Sequence, residues 1–382
     1  MIPLENIAAQ LRNGKSVRQS EDAGGLPISR IETIADGVVN GERVGYAGLE
    51  EADCNGWLLE EGDILISHIN STKHLGKCAL YTGEPPALVH GMNLLGLRLE
   101  PDAALPRYVY RMMSSPGFRR QIPRITKHSV NQSSFNISSF KKLEIPLPPL
   151  PEQKRIAGIL DAADALRGKR REALAQLDTL LQSTFLDMFG DPVTNPMEWA
   201  KPTLAEVGRI TTGKTPPTKN DGMFGGEIPF ATPGDLDDNL ESTARTITTE
   251  GAKFTNVVRA GSALVGCIGS IGKMAKSPVA TAFNQQINAI EWAEPIDDSF
   301  GIHALRHSIP QMLSKASSTT VPILNKSGFS SVQIICPPRD LQCCFATTVE
   351  AVERQKASMR AHLAELDALF ASLQARAFNG EL

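Results

Sequence analysis

An excess of basic charge is missing from this chain. Its 39 Lys and Arg are outnumbered by 42 Asp and Glu, and the formal net charge is −3 over 382 residues. A strongly basic domain is the footprint of a general polyanion binder, so any nucleic-acid site must be a local patch. Apolar runs of about 18 residues, the length of a membrane helix, are also missing, and Met1 to Gln10 has no signal-peptide core. None of the six cysteines (Cys54, Cys78, Cys267, Cys336, Cys343, Cys344) forms C-x-x-C. That argues against a cysteine-built zinc site, and a disulfide framework does not suit a chain of this length. A soluble cytoplasmic protein with reduced thiols is expected.

Catalytic constellations are missing as well. There is no D/N-P-P-Y/F motif of an amino-methyltransferase, since GDPVTNP (190–196) lacks the aromatic and the second proline. There is no Rossmann fingerprint and no G-x-S-x-G elbow. His303 and His307 stand at i, i+4, but no third ligand accompanies them, so they read as a surface helix pair rather than a metal site. No catalytic residue, metal or cofactor is expected in this chain.

One match needs an answer. Gly208 to Thr215, GRITTGKT, fits the phosphate-loop pattern G-x-x-x-x-G-K-[ST]. Such a loop works because a strand enters it and a helix leaves it at G-K-[ST]. Here Pro216 and Pro217 follow Thr215, and proline disfavours helix for the residue before it. TLAEVGRI, ahead of the loop, is no continuous apolar strand. A P-loop ATPase remains only as a rival reading.

What is present is a repeat. SFNISSFKKLEIPLPPLPEQ (134–153) aligns with ILNKSGFSSVQIICPPRDLQ (323–342), with Asn136 on Asn325 at an offset of 189 (325 − 136). The same offset carries LDTLLQS (177–183) onto LDALFAS (366–372), and Phe189 onto Phe378. Earlier segments match at drifting offsets, as small deletions in surface loops produce. LRNGKSV (11–17) sits on RITTGKTP with Gly14 under Gly213, and EGDILISHINS (61–71) sits on AGSALVGCIGS (260–270), both at 199 (213 − 14). Asn93 is placed under Asn288 at 195 (288 − 93). The first unit keeps Gly14-Lys15-Ser16 but has Ala9 where Gly208 stands. The shared feature is a Gly-Lys-hydroxyl loop, not a full phosphate cradle.

Each unit is a globular part followed by a long helix. Apolar residues recur at helical spacing through Ile156, Leu160, Leu174, Leu177 and Leu181. They do so again through Phe345, Val349, Val352, Met359, Leu363, Leu366 and Phe370. Pro151 and Glu152 open the first helix and Gly190 follows it; Asp340 is placed to cap the second and Asn379-Gly380 to end it. At 1.5 Å per residue each is roughly 55 Å long. One stripe of that length calls for a partner helix. The globular parts read as mixed, with strands expected in DILIS (63–67), NLLGLRL (93–99), SALVGCI (262–268) and INAIEW (287–292).

Acidic residues are absent from two corresponding windows. Between Asp102 and Glu144 stand Arg107, Arg111, Arg119, Arg120, Arg124, Lys127, Lys141 and Lys142; between Asp298 and Asp340 stand Arg306, Lys315, Lys326 and Arg339. Such windows in an acidic protein suggest a DNA-facing surface on each unit. Polar, Gly-rich loops (127–134, 211–222, 269–273, 283–288) accompany them and offer amide, hydroxyl and cationic donors. The candidate DNA contacts are Lys15, Ser16, Lys73, Arg119, Arg120, Arg124, Lys127, Asn131 and Gln132 in the first unit. In the second they are Lys214, Thr215, Lys219, Lys273, Gln285, Lys315 and Lys326.

IPLPPLPEQKRIAGILDAADAL (145–166) resembles the conserved regions of type I restriction–modification specificity subunits. VGRITTGKTPPTKN (207–220), GGEIPFATPGDL (225–236), GSIGKMA (269–275) and AFNQQINAI (282–290) resemble their target-recognition domains; CPPRDLQCCFATTVEAV (336–352) departs from PPLPEQ. The resemblance implies an α+β chain with pseudo-twofold internal symmetry. Its two similar mixed α/β recognition domains, 1–150 and 191–338, would be separated by two long antiparallel coiled-coil helices, 151–190 and 339–382. Each domain would read one half of a bipartite, asymmetric double-stranded DNA target, and the helices would set the unread spacer. The implied partners are modification subunits, two in number, and possible restriction subunits. S-adenosylmethionine, ATP and Mg belong to those partners. A specificity subunit of a related methyltransferase–nuclease defence system and a pure assembly scaffold are the remaining alternatives.

Overall fold

Alternating and short apolar runs of the first repeat pair into one antiparallel sheet. Its strands are β1 (Ala8–Asn13), β2 (Ile64–Ser67), β3 (Cys78–Leu80) and β4 (Leu94–Leu99), in the order β1-β4-β2-β3. The computed structural model describes residues 1–382 except 21–23, 129–132, 219, 221, 237–239, 241 and 318–320. Contacts divide the chain into two units, Met1–Arg171 with Ala361–Leu382, and Glu172–Arg360.

The second unit repeats the sheet with β5 (Gly208–Thr212), β9 (Ala263–Gly266), β10 (Met274–Lys276) and β12 (Ile287–Trp292), in the order β5-β12-β9-β10. A second sheet lies beside it, formed by β6 (Phe224–Ala231), β7 (Arg245–Ile247), β8 (Val257–Val258) and β11 (Thr281–Phe283) in the order β7-β6-β11-β8. In that sheet β6 and β11 pair in parallel, Phe230 opposite Ala282. Among the described residues, the first unit keeps this layer only as single bridges. Ile28 pairs Val89 in parallel, and Leu58 pairs Val89 antiparallel.

The register corrects one alignment. Asn288 is opposite Thr212 and Val265, and Leu95 is opposite Asn13 and Ile66. Asn288 therefore corresponds to Leu95, at an offset of 193 (288 − 95), not to Asn93. The deletion that separates the copies lies ahead of this strand, and a matching asparagine two residues away concealed it.

The long helices are Leu150–Phe189 and Arg339–Asn379. Gly190 and Gly380 follow their ends at φ 73° and 77°, the left-handed conformation that glycine adopts freely. Asp340 is inside the second helix, not its cap, because the helix already begins at Arg339 behind two prolines. Each unit holds the start of one helix and the end of the other, running antiparallel. In the first unit, Ile156, Leu160 and Ala377 join a core containing Leu4, Tyr108 and Phe140. In the second, Leu181, Phe185, Phe189, Phe345, Val349 and Val352 join Trp292, Phe300 and Phe329. Leu174, Leu177, Met359, Leu363, Leu366 and Phe370 are half-buried. The stripe thus meets globular cores toward the helix ends and is only half-covered midway.

Two ion triads repeat with the helices. Arg167 binds Asp164 at 2.7 Å and Asp367 at 2.5 Å. Lys356 binds Glu353 at 2.9 Å and Asp178 at 2.6 Å. All three positions are related by the offset of 189 (356 − 167, 353 − 164, 367 − 178).

Candidate nucleic-acid interface

Sheet topology delivers four loops to one edge of the second unit. Strands β5, β6, β9 and β11 end there and β12 begins, as the pairs Thr212–Asn288, Gly266–Ile287 and Ala231–Phe283 show. The loops are 213–217, 232–236, 267–273 and 284–286. Main-chain bonds lace them together. The N–H of Lys214 donates to Phe283 O (3.0 Å), that of Asn284 to Ala231 O (3.0 Å), and that of Cys267 to Gln286 O (2.8 Å).

The glycine of the Gly-Lys-hydroxyl loop is needed because two backbones touch. A Cβ on Gly213 would lie 2.1 Å from Asn284 O, and one on Gly14 2.3 Å from Gly91 O. The first unit shares the first of these main-chain bonds and adds others of its own. The Lys15 N–H donates to His90 O (2.7 Å) and the Met92 N–H to Lys15 O (3.1 Å). Ser29 closes the set, with its N–H on Val89 O (2.9 Å) and its Oγ accepting from Gly91 N–H (2.9 Å).

This geometry decides the phosphate-loop question. As expected, TLAEVGRI is no continuous apolar strand: Leu204–Val207 is a helical turn, and the short strand β5 that runs into the loop buries only Ile210 among its residues. Gly208 is a strand residue packed against Ile290, and among the described residues from Thr215 to Met223 no helix begins. The N–H groups of Gly213 and Lys214 already donate to Ile287 O and Phe283 O. Two of the amides that a phosphate cradle would need are therefore used within the fold.

Side chains brace the loops further. Asn256 donates to Thr212 O at 2.7 Å and Thr255 to Lys214 O at 2.5 Å. Buried Asn288 accepts from Thr212 and donates to Leu324 O. Asp235 accepts from the Thr232 N–H and hydroxyl and from the Ala244 N–H. Burial opposes its charge, but these hydrogen bonds, with Lys273 nearby, hold the carboxyl below its ordinary range.

Of the residues expected to face DNA, Lys214, Thr215 and Gln285 are exposed on this edge, and Thr215 Oγ1 donates to Gln285 Oε1 at 2.6 Å. Lys273 is half-buried and reaches Pro233 O at 3.3 Å. In the first unit Ser16 and Lys73 are exposed, and half-buried Lys15 donates to Asp53 O at 2.8 Å. Exposed Lys127 joins them, because its strand pairs with Ser133–Ser134 and that with Ile69–Asn70. Arg120, Arg124, Lys315 and Lys326 are exposed on or beside short helices outside the laced loops. Arg119 lines a cavity of about 410 Å³ with Cys78, Tyr110 and Ser114. Asn131, Gln132 and Lys219 lie outside the described residues.

The basic windows are narrower than the sequence implied. Arg107 pairs with Asp161 at 3.1 Å, and Arg111 with Asp161 and Asp164, both at 2.8 Å. Arg339 pairs with Asp297 at 3.4 Å. Their acids lie outside the windows and reach them only through the fold. His303 and His307 also depart from the reading. They are not a surface pair: His303 is buried against Phe345, and His307 stacks on Phe185 at 4.7 Å.

Gln153 and Gln342 escaped notice as functional positions, although they close the aligned segments. Both are buried. Gln153 accepts from the Leu105 N–H (2.8 Å) and donates to Ala103 O and Pro148 O. Gln342 accepts from the Asp297 N–H (2.9 Å) and donates to Pro295 O and Pro337 O. Of PPLPEQ and PPRDLQ, the two prolines and the glutamine are common, and the glutamine locks the helix base to the domain in each copy.

Two copies of one α/β unit, each with a laced loop edge and a long helix locked to it, define a duplicated recognition scaffold. The chain belongs to the type I restriction modification DNA specificity domain family, matched over residues 4–176 and again over 196–368, and so to the specificity subunits of type I restriction–modification systems. It is 29% identical over 366 residues to the "Putative type I restriction enzyme MjaX specificity subunit" of Methanocaldococcus jannaschii, covering 92% of this chain and 85% of that one. It is 29% identical over 206 residues to the EcoKI specificity subunit of Escherichia coli K12, covering 52% and 44%. Its fold is similar to the S subunit of the type I system from M. genitalium, with TM-score 0.58, 15% identity and 98% and 95% coverage. It is also similar to a chain from a type I R-M system described for its assembly and conformational transition, with TM-score 0.56, 17% identity and 100% and 97% coverage. Among the described residues no helix is long and apolar enough to cross a membrane.

Proposed function

We propose that each unit reads one half of a bipartite, asymmetric DNA target with its laced loop edge. The long helices fix the unread spacer between the halves and dock modification subunits, two per chain. In this reading the chain carries no chemistry of its own. S-adenosylmethionine, and ATP with Mg where a restriction subunit joins, are held by partners in a cytoplasmic complex. The carrying observation is that one loop frame occurs twice with different exposed side chains, Ser16 and Met92 in one, Thr215 and Gln285 in the other. A common frame suits a common task, and different tips suit different half-sites. Long-read mapping of methylated adenines in cells expressing this chain with its modification subunit tests the reading. The expected result is one bipartite motif with two unlike halves. A continuous motif, or methylation without a motif, counts against it.

A further inference from the structure

We infer that Gln285 reads an adenine in the half-site of the second unit, and that Thr215 is the residue that positions it. The inference rests on the DNA-reading role proposed above and narrows it to one base and one atom pair.

Gln285 stands at the tip of the turn between β11 and β12, and the turn is fixed on every side. The Asn284 N–H donates to Ala231 O and the Cys267 N–H to Gln286 O. Within the turn, Asn284 Oδ1 accepts from the Gln286 N–H, and Asn284 Nδ2 donates to Gln286 Oε1, both at 3.1 Å. Asn284 is buried while Gln285 is exposed. The flanking residues are therefore spent on the fold and the middle one is presented outward.

A free glutamine amide turns over easily and offers donor and acceptor in either order. Thr215 removes that freedom. Its hydroxyl donates to Gln285 Oε1 at 2.6 Å, across 70 residues of sequence. A carbonyl oxygen has two lone pairs, so Oε1 retains one, and Nε2 retains both hydrogens. The distal edge of the amide then presents acceptor and donor side by side in a set order. In the major groove adenine offers the complementary pair, an N6–H donor and an N7 acceptor. Guanine presents two acceptors at the same place, and Oε1 cannot donate to either.

The first unit supplies the comparison. Offsets of 199 and 193 (215 − 16, 285 − 92) put Ser16 and Met92 at these positions, and Met92 is exposed. A thioether cannot make the bidentate contact, so this reading belongs to the second unit alone.

The test maps methylated adenines in cells expressing the modification subunit with wild-type chain, Gln285→Glu, Thr215→Val or Thr215→Ser. Glutamate loses the donor and accepts instead, the pattern that suits cytosine N4. Gln285→Glu is expected to change or relax one A·T position in one half-site, leaving the other half-site and the spacer intact. Thr215→Val is expected to relax the same position and Thr215→Ser to keep it, which a merely structural role for Thr215 does not produce. Where a variant methylates too little to map, binding of the assembled complex to duplexes substituted at each position reads the same change, expected as a roughly tenfold or greater loss of discrimination at one pair. An unchanged motif in Gln285→Glu, a change at a G·C position, or discrimination lost evenly at several positions overturns the inference. Failure of the wild-type chain to give a bipartite motif overturns instead the reading beneath it.

Discussion

At the scale of single residues, buried histidines tie this fold to pH. Burial pushes His90 down to about 4, where its Nε2 also meets Leu94 O, and pushes His303 down to about 3 beside Phe345. In the unfolded chain both return to about 6.5. Below that value the unfolded state takes up protons that the folded state refuses. Stability is therefore full above about pH 6.5 and falls as pH drops toward the folded values. At pH 5 the loss is on the order of 2 kcal/mol for each histidine. Calorimetry is expected to show a clearly lower thermal midpoint at pH 5 than at pH 7.5, with a smaller drop in His303→Gln. Equal midpoints at the two pH values would contradict the assignment of neutral, buried rings. The sequence showed only an i, i+4 spacing, which cannot tell a wet helix face from a dry one.

At the scale of elements, the repeated triads make the long helices specific partners. Lys356 is buried, and burial alone would lower its pKa. Asp178 and Glu353 outweigh that and raise it. A buried cation that loses a carboxylate keeps its desolvation cost, whereas an apolar replacement removes both charge and cost. Asp178→Ala is accordingly expected to destabilise, by less than the roughly 3–5 kcal/mol of a fully buried pair because Glu353 remains, with a smaller loss from Lys356→Met. Thermal midpoints of the two variants check this, and a larger loss from Lys356→Met would reverse the argument. Much at this scale was legible in advance. The stripe of Ile156, Leu160, Phe345 and Val349 showed the helices, and DILIS and INAIEW showed two strands. The partners of Arg107, Arg111 and Arg339 were not legible, because Asp161, Asp164 and Asp297 lie about 40 to 54 residues away in sequence. Nor was the role of Gln153 and Gln342 legible, since a buried amide lock has no periodic signature.

At the scale of the whole molecule, the proposed reading makes helix length a property of the DNA target. Inserting one heptad into both long helices adds about 10 Å to each, which corresponds to about three base pairs of duplex. The mapped motif is expected to gain that spacer with both half-sites unchanged. An altered half-site or a constant spacer would show that the helices do not set the distance. The repeat itself was plain in the sequence wherever the copies share a packing demand, as at Phe140 and Phe329 or the capping Asn136 and Asn325. It blurred at Asn93, where only the register of strands could count the missing residues.

The lacing of the loops has a consequence for how such a protein changes over time. The frame is tied by peptide groups, which every residue but proline supplies alike. The glycines and buried asparagines keep the frame closed, while tips such as Met92 and Gln285 pack into no core. Substitutions at the tips can therefore accumulate with little cost to folding and, in the proposed reading, each unit can drift toward a new half-site while its twin stays as it was. On that reading, a lineage of such chains would acquire new DNA targets one half at a time, on a scaffold that does not have to be rebuilt.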